Sequence, residues 1–410
     1  MILAGLNYKK LGLIVGFLIV AAAIGYFIFS LFFKQTTQIQ NGVNIQQNGT
    51  GSGLPEAGTG TQNPVTGTEG QLPDIQTPGG QTQPSTNQGV AQDSTTDLGV
   101  EAAVSRINGN GQMEFYNKTD GKFYKLEADG KAVALSDKQF PDVQNITWAP
   151  TSDKAILEFP DGSKIRYNFT TKEQVTLPKH WQDFDFSPSG DKIVAKSMGV
   201  DVDNRWLIIS NDDGSKAQKI EDLGENGDKV ISSWSPNNQS IAMFVDGVDF
   251  NRKEVYFVGQ NGENFKSMIV EGRGFEPKWS PKGDELLYSV YSADNDYKPT
   301  LWLAGAQGDN IGANRRPIGL DTWANKCSFT TGTIYCAVPQ TLERGAGLFP
   351  ATADNTPDVL YRINPQTGVK EQINLGSTSY TMKNLSVSPD GTYLYFTDAS
   401  TGRLRQIKVR

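Results

Sequence analysis

Phe186-Ser-Pro-Ser-Gly-Asp-Lys-Ile-Val-Ala195 carries a pattern that returns along the last three-quarters of the chain. Close copies start at Trp148, Trp234, Trp279 and Val387, and degenerate ones near Ile107 and Cys327. Each copy joins an apolar or aromatic head to a small polar turn and then to a short alternating strand. Proline presets φ for the turn, Gly or Asn supplies the residue with positive φ, and the flanking runs pair as a hairpin. Seven such units at intervals of 38 to 60 residues predict an all-β fold, a seven-bladed β-propeller, or six blades if Ile107 does not head one. The aromatic heads are expected to wedge between neighbouring blades, where a large flat side chain fills the gap between sheets.

After Val387 there is room for only three strands, at 384–388, 393–398 and 403–409. A ring has to close, so the fourth strand of that blade is expected from the segment before the first head, around Leu98 to Ala103. Donation of this kind removes exposed sheet edges.

The Phe/Trp-Ser-Pro heads resemble the WD40-like repeat of the TolB-type (PD40-type) propeller family over roughly 105–410. The resemblance implies the propeller fold. Members of that family include a periplasmic translocation component that binds lipoprotein and protein partners, and blades attached to peptidases. Here an apolar segment and a low-complexity stretch stand in place of the family's soluble N-terminal α/β domain, so partner identity does not carry over.

Composition divides the chain into 1–34, 35–100 and 101–410. Leu11 to Phe33 is 23 residues without a charge, long enough to cross a bilayer core as a helix of about 1.5 Å rise per residue. Lys9 and Lys10 precede it and only Lys34 follows closely, which places the N-terminus in the cytosol and the propeller outside it. Ala21-Ala22-Ala23 also fits a cleaved signal peptide, but the apolar run continues from Ile24 to Phe33, which favours a retained membrane span. Residues 35–100 are rich in Gln, Thr, Gly, Asn, Ser and Pro, with too few large apolar side chains to offset the entropy of folding. They are expected to form a disordered tether.

The net charge is −7 and no basic stripe is present, which argues against nucleic acid as a partner. There is no phosphate-binding loop, no nucleophile elbow and no metal-spaced His/Cys pair. His180 is the only histidine and stands in no catalytic context. No catalytic residue, metal or cofactor is therefore assigned.

Cys327 and Cys336 flank a turn centred on Thr331-Gly332, so they are expected opposite each other on adjacent strands and joined as a disulfide in an oxidising compartment. Loops between second and third strands of successive blades carry Asp201 and Asp203, Asp246 and Asp249, Asp294 and Asp296, and Asp354 and Asp358. Equivalent loops emerge on one face, so a crescent of carboxylates is expected there, suited to a basic partner or to Ca²⁺. Asp and Asn are equally good turn residues in solvated loops. The longest of these loops contains Leu348-Phe349, which either meets a partner or packs back over the channel mouth.

The expectation is a non-enzymatic, membrane-tethered binding module of the cell envelope for a protein or envelope component. The alternatives are an extracytoplasmic hydrolase or lyase using carboxylates near the channel, and a structural part of an envelope or secretion machine.

Overall fold

The computed structural model describes residues 95–410 apart from 128, 152 and 264. The apolar segment 11–33 and the stretch 35–94 lie outside the described residues, and among those described no helix is long and apolar enough to cross a membrane.

Twenty-eight strands form seven four-stranded antiparallel sheets, each a blade of one propeller. The innermost strands are Val104–Ile107, Asn145–Trp148, Trp181–Phe186, Val230–Ser232, Arg273–Trp279, Cys327–Thr330 and Met382–Val387, heading blades 1 to 7. As the innermost strands of their sheets they wall the central channel, and those of blades 2 and 3, 3 and 4, 6 and 7, and 7 and 1 meet directly. Ile107 does belong to a blade, and the count is seven.

Blade 7 contains three consecutive strands and a fourth from the other end of the described chain, Thr96–Glu101, which pairs with Arg403–Lys408. Thr96 lies opposite Gln406 and Glu101 opposite Arg403, with a register shift between Asp97 and Glu101. The donated strand starts two residues ahead of the segment marked by sequence, so the last residues of the low-complexity stretch are ordered strand.

The core lies between blades, because each sheet has two faces and a neighbour on either side of it. Seven clusters of buried side chains fill the seven interfaces. Between blades 2 and 3, for example, Ala149, Ile156 and Leu177 pack against Phe184, Phe186 and Ile193. Heads such as Phe186 and Trp234 are buried there, while Trp148 and Trp279 are half-buried.

In blade 6 the head position is Cys327, which pairs directly across from Cys336 with Cα atoms 4.0 Å apart and the sulfurs bonded. Both cysteines are fully buried, beside Leu303, Ile334 and Ile363.

Antiparallel alternation sorts the connections. Second-to-third-strand loops and blade-to-blade crossings share one face, here the loop face. First-to-second and third-to-fourth hairpins share the other, the hairpin face. Because Thr96 pairs near the far end of Arg403–Lys408, the chain enters the ring from the hairpin face.

Candidate functional site

The loop face of blades 3 to 6 brings together every surface residue singled out above, but not as a free acidic crescent. Asp246 pairs with Lys229 at 3.0 Å, Asp249 with Arg252 at 2.6 Å, Asp296 with Arg344 at 3.9 Å and Asp354 with Lys383 at 3.0 Å. Hydrogen bonds from Lys229 and Arg252 hold Asp246 and Asp249 below the usual carboxylate range. Lys229 comes from a crossing, Arg252 from the same loop, Arg344 from the blade 6 loop and Lys383 from the inner strand of blade 7, so the ring pairs these four acids itself.

Asp358 is not at the surface. It is the first residue of the strand Asp358–Ile363, its side chain is fully buried, and it holds Lys326 at 2.8 Å and the Met382 amide at 2.6 Å. Burial pushes its carboxyl up, against the pull of Lys326. Asp201, Asp203 and Asp294 remain exposed, in or beside the 3-10 turns Val202–Asn204 and Ala293–Asn295. Among the described residues, no group of three His, Cys, Asp or Glu side chains converges to hold a metal ion.

Apolar exposure is more concentrated than charge. Of ten large apolar side chains exposed on the described surface, six stand on these loops: Val200 and Val202, Val248 and Phe250, Leu348 and Phe349. Phe250 is 66% exposed, Phe349 67% and Leu348 41%. The blade 6 loop does pack back in part, since Leu342, Ala346 and Ala353 cover Trp323. Its tip lies against blade 5: the amides of Gly345 and Gly347 donate to the carbonyls of Asp296 and Tyr297, both at 2.8 Å. A Cβ at Gly347 would stand 2.6 Å from the Tyr291 Cβ, so only glycine allows this approach. Leu348 and Phe349 follow at once and are left facing solvent.

Beside them lies an arginine that sequence reasoning passed over. The Arg273 guanidinium sits 4.6 Å from the Phe250 ring centre, 5.8 Å from Tyr291 and 5.9 Å from Tyr297, within cation–π range of all three. Among the described residues no carboxylate lies within 4.0 Å of its nitrogens and no hydrogen bond uses them. Gly272 and Gly274 flank it, and a Cβ at Gly274 would come 2.2 Å from the Tyr291 ring, so the two glycines admit the backbone here. That Gly-Arg-Gly run was the one local signal. The rings come from blades 4 and 5 and could not be assembled from spacing alone.

A groove runs from this cluster toward blade 7. Its first part is a cavity of about 370 Å³ lined by Phe275, Val290, Tyr291, Trp323 and Leu348. Its second, about 390 Å³, adds Lys326, Asp354, Lys383 and Asn384 to an apolar floor that includes Ala353, and the two share Glu276, Trp323 and Pro350.

Channel-wall carboxylates are committed to holding blades together. Asp183 and Asp185 accept the amides of Ser232 and Trp234 at 2.9 and 2.7 Å, and Glu276 accepts that of Asn325 at 2.7 Å. Lys278 donates to the Cys327 carbonyl. Burial pushes Asp185 up to about 7 and Lys278 down to about 8. These side chains tie the innermost strand of one blade to the innermost strand of the next or to residues flanking it, 49 residues on.

No family model and no curated protein matches the chain. Among solved structures it is similar to the Cps50 (Swd1) β-propeller domain of Myceliophteria thermophila, with TM-score 0.53, 12% identity, and coverage of 78% of this chain and 100% of that one. It also matches the tricorn protease at TM-score 0.49 and 10% identity, covering 77% of this chain and 34% of that chain. An oligogalacturonate lyase from Vibrio parahaemolyticus matches at TM-score 0.49 and 12% identity, covering 78% and 95%. At these identities the likeness to the Swd1 domain is one of fold, and the fold of this chain is a seven-bladed β-propeller.

Proposed function

We propose that the chain is a non-enzymatic, TolB-like propeller tethered outside the cytoplasm, which docks a protein or cell-envelope component on the loop face of blades 3 to 6. One observation carries this reading. The exposed apolar side chains gather on that face, whereas the chain enters the ring at Thr96 from the opposite one. Exposed apolar side chains gathered on one face mark interaction sites.

The placement is supported by the uncharged run 11–33 with its preceding lysines, and by a cysteine pair set for oxidation. The membrane span, the tether and the extracytoplasmic position belong to this proposal. Acidic composition keeps nucleic acid outside it. A hydrolytic or lytic reading is less well supported, since the channel carboxylates described above are engaged by backbone amides.

Leu348→Ser combined with Phe349→Ser removes two apolar contacts without touching the core. Partner recovery after crosslinking in native membranes is expected to fall about thirtyfold, the effect of losing about 2 kcal/mol at a hot spot. The thermal midpoint should not move. Unchanged recovery would contradict the proposal.

A further inference from the structure

We propose that Arg273 is a carboxylate receptor, and that the segment docking here is an extended acidic and apolar peptide. The inference rests on the docking reading above and adds the chemistry of the partner. A guanidinium presents five donors in a planar fork whose geometry fits carboxylate and phosphate bidentately. The fork of Arg273 meets none, although it is half-buried and faced by three aromatic rings. The rings restrain the guanidinium, so less ordering remains to be done when an oxyanion arrives.

Nearby acids do not neutralise it. Asp249 is turned to Arg252 and Asp296 to Arg344. The face thus offers one uncompensated, preorganised cation among exposed Phe250, Leu348 and Phe349. A partner carboxylate would form the short bidentate pair that Arg favours. An adjacent large apolar side chain would enter the cleft of about 370 Å³ lined by Val290, Tyr291 and Leu348. A basic segment, the partner suited to an acidic crescent, would instead bring like charge to Arg273.

The test uses the full chain in detergent micelles and the fluorescent peptide Gly-Ser-Leu-Glu-Phe-Ser-Gly, with counterparts in which Lys or Gln replaces Glu. The Glu probe should bind at least about tenfold tighter than either counterpart, with the preference fading as salt is raised. Arg273→Gln should abolish the preference, and Arg273→Lys, which keeps the stem and charge but loses the fork, should reduce it several-fold. Leu348→Ser with Phe349→Ser should weaken all three probes alike. A tighter Lys probe, a preference that survives Arg273→Gln in protein with an unchanged melting curve, or no binding of the Glu probe up to about 1 mM would overturn the inference. If Arg273→Gln unfolds the chain, a preference undiminished in Arg273→Lys would do the same. Loss of native-membrane partner recovery in the Leu348/Phe349 variant, with Glu preference independent of Arg273, would sink this inference alone. Unchanged recovery in that variant would sink the docking reading beneath it.

Discussion

A chain beginning at Ala102 is expected to melt about 10 °C lower than one beginning at Ser85, and to aggregate. The difference is the strand Thr96–Glu101, whose removal leaves Arg403–Lys408 as an open edge. Lost with it are the ion pairs of Asp97 to Arg403 and Arg405, at 3.3 and 3.5 Å, and the bond from Thr119 to Glu101 at 2.6 Å. Half-buried Leu98 and Val100 also leave the cluster that holds Phe115 and Leu404. With the ladder bonds, two apolar contacts and a covered sheet edge all lost together, a net loss of a few kcal/mol is expected. For a domain of this size that is roughly 10 °C. Calorimetry of the two chains checks the expectation, and a synthetic peptide of residues 95–103 should restore part of the loss in trans. Equal midpoints would mean that the ring does not depend on this closure.

Asp358→Ala is expected to cost about 3–5 kcal/mol, the loss typical of removing one partner of a buried pair. The carboxylate joins three segments: its own strand, Lys326 in the crossing before blade 6, and Met382 at the start of blade 7's inner strand. Alanine would leave the Lys326 ammonium, whose side chain is only 13% exposed, without its counter-charge, and the Met382 amide without an acceptor. Asp358→Asn keeps an acceptor and should cost less. Pairing Asp358→Leu with Lys326→Met should recover much of the loss, because two apolar groups do not need each other's charge. Urea denaturation of the single and double variants measures this coupling. A single-variant loss under about 1 kcal/mol would show that the pair is not buried as described.

The same residue shows where sequence stops being informative. Asp358 stands at the end of an Asp-Asn-Thr-Pro-Asp string that reads as a solvated loop, yet it opens a strand and faces inward. A strand boundary shifted by one residue turns a side chain over, and no local pattern settled the parity. Blade count, ring closure and loop placement were legible because turn chemistry repeats and topology then follows. Ion pairing was not, since Lys229, Arg344 and Lys383 approach the acids from other elements, as tertiary contacts. Phe250 follows Asp249 directly in the sequence, but its value depends on Arg273, 23 residues later, and on the two tyrosines beyond it. Cys327 and Cys336 were the converse case: two cysteines about a tight turn define their own register, and they face each other across it.

The claim at the centre is that the loop face, and not the hairpin face, meets the partner. A photo-reactive residue placed in native membranes at Phe250, at Phe349, or at Val369 on the opposite face compares sites of near-equal exposure, 66%, 67% and 64%. Adducts of one discrete mass from Phe250 and Phe349, with none from Val369, are the predicted result. Adducts from Val369 alone, or equally from all three positions, would contradict it.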